Sequence, residues 1–108
     1  MTRSLEDDKA LDPAIIPLQG KTQIADWMVV VTGTSSRHIA SMADKLLLRL
    51  KEAGHGSASA EGREDPQASW ILIDAGDVIV HLFRAETRAF YDIEKLWSLL
   101  PPTRAAAG

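Results

Sequence analysis

The chain has 108 residues, of which 45% are apolar and 25% charged, the size and mixture of one globular domain. It has no cysteine, which excludes disulfides and thiolate metal sites. Its formal net charge of -3 argues against a protein that grips nucleic acid through phosphates, because such proteins are usually basic.

Residues 1–12 (MTRSLEDDKALD) form a polar, acidic segment without the apolar stretch of a signal peptide. A short helical turn is expected over Leu5–Ala10. No run in the chain approaches the roughly 20 apolar residues that span a bilayer, so the expectation is a cytoplasmic protein. Ala14–Leu18 is apolar but touched by proline on both sides, which allows at most a short edge strand. Gln19–Gln23 is a connector. Trp27–Val31 is apolar on both faces, the pattern of a central strand.

Thr32–His38 (TGTSSRH) follows that strand. It lacks both G-x-x-x-x-G-K-[ST] and G-x-G-x-x-G. Gly33 is read as the turn and Ser35 or Ser36 as a helix cap; anion binding at the helix start, with Arg37 and His38 facing a ligand, is the alternative. A helix over roughly 36–53 follows from Ile39, Met42, Ala43, Leu46, Leu47 and Leu50 on one stripe, with Gly54 just past its end. Gly56–Glu61 is weakly patterned and could be a short strand, and Glu61–Gln67 is a polar loop.

Ser69–Ile73 and Asp77–Phe83 are strands joined by Asp74–Asp77, a tight hairpin. Alternation places Asp77, Ile79, His81 and Phe83 on one face with Trp70, Leu72 and Asp74, and Val78, Val80, Leu82, Ile71 and Ile73 on the other. The second set is core. The first is either covered by a helix or forms a docking surface of aromatic groups with a polar rim. Asp74 and Asp77 could hold Mg²⁺ or act as acid and base, but their place at a hairpin turn is explained by local hydrogen bonding. His38 and His55 bracket the helix ends, too far apart to share an ion, so no metal site is expected. Ala85–Leu99 reads as a helix with a break near Tyr91 and Asp92. Pro101 and Pro102 stop it, and residues 101–108 should be a disordered tail. The order β-β-α-β-β-β-α gives an α/β single-domain sandwich over residues 13–100, with a mixed β-sheet flanked by helices. No catalytic set is complete, and no cofactor is implied.

The pieces VVVTGTSSRHIASMAD, WILIDAGDVIVHLF and FYDIEKLW, in that order and spacing, resemble the ribosomal silencing factor (Iojap-like) family. The resemblance covers about Lys9 to Ser98. It implies a domain nucleotidyltransferase-like in shape but not in activity. It also implies a translational repressor that binds the large ribosomal subunit through large-subunit protein fourteen. Such a protein blocks joining of the small subunit when nutrients are scarce. A homodimer is a further arrangement it allows. The family-matching positions are Gly33, Thr34, Ser35, Ser36, Arg37 and His38 in the first piece. They are Trp70, Asp74, Gly76, Asp77, Val78, Val80 and His81 in the second, and Tyr91, Glu94, Leu96 and Trp97 in the third. The partner-binding residues expected from the face pattern and the resemblance together are Arg37, His38, Trp70, Asp74, Asp77, His81, Tyr91, Glu94 and Trp97. Two departures stand out. Relatives usually carry a longer helix before the position of Lys9, and the prolines of Asp12–Pro17 fall where the family has a regular strand, so the first strand should be short or distorted. The competing reading is a nucleotide-handling enzyme that uses the TGTSSRH loop.

Overall fold

A computed structural model describes residues 9–21, 25–54 and 56–99. The helical turn at Leu5–Ala10 lies mostly outside these residues, as do His55 and the tail. Five strands form one sheet: β1 (Leu11–Pro17), β2 (Trp27–Gly33), β3 (Ser59–Glu61), β4 (Trp70–Asp74) and β5 (Val78–Arg84). Their order is β1-β2-β5-β4-β3. β2 and β5 run parallel in the middle, and every other pairing is antiparallel. The mixed sheet expected from the element order is therefore present. β1 carries the anticipated distortion: its register shifts between Leu11 and Ala14, and Asp12 takes a φ of 48°.

Helix α1 (Ser36–Glu52) covers one face of the sheet. Its stripe of Ile39, Met42, Ala43, Leu46 and Leu50 is buried against Val29, Val31, Ile71, Ile73, Val80 and Leu82. Each fully buried Leu, Ile or Met contributes about 1.5–3 kcal/mol relative to exposure in water. Gly54, just beyond the helix, has a φ of 92°.

The opposite face is covered differently. The last helix divides into α2 (Ala85–Tyr91) and α3 (Ile93–Leu99), because Asp92 adopts a left-handed conformation at φ 45° and ψ 47°. A second core gathers Ile16, Leu18, Ala25, Met28, Val30 and Phe83, with Trp70, Ile79, Ile93 and Trp97 packed against it. The helices cover the Phe83 end of this face, and Asp74 at the other end is exposed.

Candidate functional site

The β4–β5 register fixes the site. Trp70 pairs with Phe83, Leu72 with His81 and Asp74 with Ile79, so alternation brings all six to one face. The Trp70 ring lies 4.9 Å from Phe83 and 5.0 Å from Tyr91, centroid to centroid. Tyr91 in turn meets Phe90 edge-on at 5.0 Å. The edge-on arrangement is one of the favoured ones for aromatic pairs. The run leads from the buried Phe83 out to Tyr91, 52% exposed, and Phe90, 80% exposed. Trp70 also lines an open groove with Glu61, Gly62 and Leu72.

The hairpin end is acidic and open. Asp74 and Asp77 are both exposed. Asp74 Oδ1 accepts from the Gly76 N–H at 3.0 Å, the local turn bond that favours Asp here. Gly76 has a φ of 83°, a conformation that glycine tolerates without strain. The Asp77 carbonyl accepts from the N–H groups of Asp26 and Trp27, which ties the turn to the start of β2. At about 3.3 Å per strand residue, this acidic end lies roughly 13 Å from Trp70 along β4.

Several expected contact residues have other partners. His81 is only 7% exposed. It lies under the surface, and its Nδ1 accepts from the Trp70 indole N–H at 2.9 Å. Burial pushes its pKa down to about 4, so it is neutral at pH 7. Glu94 is held by Arg88, whose Nη2 donates to its carboxylate at 3.0 Å and whose Nε donates to the other oxygen. The Arg88 hydrogen bonds hold the Glu94 carboxyl below its ordinary range. Trp97 is half-buried against the second core, and its carbonyl accepts from Lys21 Nζ at 2.8 Å. His81 and Trp97 pack within this face, and Glu94 closes the α2–α3 corner.

The TGTSSRH loop turns and caps. Ser35 Oγ accepts from the His38 N–H at 3.0 Å. His38 Nδ1 accepts from the Thr34 N–H at 2.9 Å. A Cβ at Gly33 would lie 2.5 Å from Ile39 Cγ2, so close helix packing accounts for the glycine. Arg37 is exposed on the first turn of α1, whereas the aromatic run belongs to β4, β5 and α2. The structure thus brings Trp70, His81 and Tyr91 together and places Asp74 with Asp77. Arg37 and His38 stand apart from both groups.

Sequence reasoning missed Phe90, which helical spacing groups with Ile93 and Trp97. The break at Asp92 changes the phase and turns Phe90 and Leu96 outward. It also missed Arg88, whose Nη1 donates to Thr32 Oγ1 at 2.8 Å. No local signal marks that contact, because Arg88 and Glu94 are six residues apart and an uninterrupted helix pairs residues three or four apart.

The family model described as "Ribosomal silencing factor during starvation" matches residues 1–106. The chain is 52% identical over 97 residues to ribosomal silencing factor RsfS of Zymomonas mobilis, covering 90% of this chain and 71% of that one. It is 32% identical over 98 residues to mouse mitochondrial assembly of ribosomal large subunit protein 1, covering 88% of this chain and 42% of the mouse protein. The crystal structure of protein CV0518 from Chromobacterium violaceum superposes with a TM-score of 0.84 at 37% identity, covering 94% of this chain and 83% of that one.

Proposed function

The chain belongs to the ribosomal silencing factor family, and from that membership we propose that it represses translation by occupying the large ribosomal subunit. It docks through large-subunit protein fourteen and leaves no room for the small subunit to join. The work is done in the cytoplasm and needs no chemistry, only affinity and a position that overlaps the joining surface. The observation that carries this reading is the aromatic run Phe90–Tyr91–Trp70 opening onto solvent. Aromatic residues are enriched among the few side chains that dominate affinity in protein interfaces. Asp74 and Asp77 give the same face a negative end, suited to lysines and arginines of a ribosomal protein. The name of the mouse relative refers to the large ribosomal subunit, which favours that subunit as the partner. A homodimer is a further arrangement, favoured by Leu11 and Ile15, which are exposed on edge strand β1.

The enzyme reading has less support. The Thr34 and His38 N–H groups at the loop already have partners within it, and Asp74 and Asp77 straddle a turn. Purified protein added to separated subunits should lower the yield of joined ribosomes on a sucrose gradient and sediment with the large subunit. Unchanged joining with no co-sedimentation at low salt refutes the proposal. Heat released on adding ATP or CTP with Mg²⁺ would revive the enzyme.

A further inference from the structure

His81 occupies a central strand position where an apolar side chain would be less costly to bury. On its face Val30 pairs with it from β2 and Leu72 from β4. The Phe83 ring stacks on it at 5.8 Å and 8°. Among the described residues one polar contact answers for its presence, the bond from Trp70 Nε1–H to Nδ1. An indole can only donate, so Nδ1 carries the lone pair and the neutral ring's proton sits on Nε2. Trp70 does not face His81 across the ladder; its direct neighbour is Phe83. The indole must therefore lie diagonally, and its ring centroid is 5.7 Å from that of His81. Contacts with Phe83 and Tyr91 tolerate a range of tilts. A hydrogen bond is directional and weakens steeply when bent.

We infer that His81 is a positioning residue: its Nδ1 fixes the Trp70 indole in the orientation that it presents, beside Tyr91, to a basic protein surface. This inference deepens the docking reading and rests on it. Trp70 is open to a partner from the groove it shares with Glu61, Gly62 and Leu72. Without the acceptor the indole would swing, and binding would then have to order it.

The test uses the full chain and purified large ribosomal subunits. Nitrogen-15 spectra at pH 7 should show an unprotonated Nδ1 and a protonated Nε2 on His81, with slow exchange of the Trp70 indole proton. In subunit pelleting, His81→Leu should weaken binding about 10-fold, the upper cost of ordering one freed side chain on binding. His81→Asn, whose side-chain oxygen can accept on the same side, should stay within about 3-fold of wild type. In a Trp70→Phe background, which has no donor, His81→Leu should add no further loss. A protonated Nδ1, wild-type binding by His81→Leu, or an added loss in the double variant overturns the inference. Trp70→Ala separates the two claims. If it binds like wild type, the docking reading falls and takes this inference with it. If it loses binding while His81→Leu keeps it, only the inference falls. Should His81→Leu fail to fold, the wild-type nitrogen spectrum decides.

Discussion

Taking an imidazole out of water penalises its charged form, and at His81 burial is the cause of the drop to about 4. In the unfolded chain the same ring titrates near its ordinary value of about 6.5. Between these values the unfolded chain binds a proton that the folded chain does not, so acid favours unfolding. The His81 contribution is complete above about pH 6.5 and is lost progressively as pH falls toward 4, a loss of about 2 kcal/mol by pH 4.5. Urea titrations at pH 7 and pH 4.5 check this on wild type and His81→Asn. Wild type should lose about 2 kcal/mol more than the variant over that interval. Equal losses would mean that His81 titrates as it does in water. The prediction concerns stability alone and holds whatever the protein binds.

At the scale of elements, the α2–α3 corner has little support of its own. Both helices have seven residues, too few to persist on their own. Helix α2 contains no fully buried residue, and the left-handed Asp92 between them costs about 1 kcal/mol. Arg88 offsets this by binding Glu94 across the corner and Thr32 at the end of β2. The Arg88 and Glu94 side chains are 13% and 25% exposed, so water screens the pair only in part. Arg88→Ala should cost about 1.5–3 kcal/mol, the usual worth of hydrogen bonds to charged groups. Amide exchange should speed up across 85–97 more than in α1. A loss below about 0.5 kcal/mol would mean that packing, not the arginine, holds the corner.

The same corner shows where sequence reading reaches its limit. α1, β4 and β5 are legible because each repeats one simple period over a buried stripe, and β2 because it is apolar on both faces. The prolines around Ala14–Ile16 announce the irregular β1 in advance, and Tyr91–Asp92 is visible as a break. At that break Arg88 reaches Thr32, 56 residues away, a contact that no local pattern encodes. The site divides likewise. Alternation places Trp70, Leu72, Asp74, His81 and Phe83 on one face. That His81 lies beneath Trp70 and that Arg88 engages Glu94 depends on side-chain choices made only once the strands and helices meet.

At the scale of the whole molecule, the two faces of the sheet are finished unequally. One lies under a single helix of 17 residues, and the other under two short helices that leave the Asp74 end open. Apolar groups exposed above α1, such as Leu48 at 56%, point outward from the side opposite the buried stripe. On the other face Phe90, Tyr91 and Trp70 are in ring contact. If docking uses the thinly covered face, two substitutions of similar chemistry must differ in effect. Phe90→Ser and Leu48→Ser each remove an exposed apolar side chain; Leu48→Ser should change stability by no more than about 0.5 kcal/mol, and Phe90→Ser, which also gives up the Tyr91 ring contact, by about 1 kcal/mol. Phe90→Ser should weaken large-subunit binding about 10-fold, as loss of an aromatic anchor does. Leu48→Ser should leave it unchanged. Pelleting with large subunits, together with urea midpoints for both variants, separates loss of contact from loss of fold. The opposite result, with Leu48→Ser losing binding and Phe90→Ser keeping it, would move the contact to the outer surface of α1.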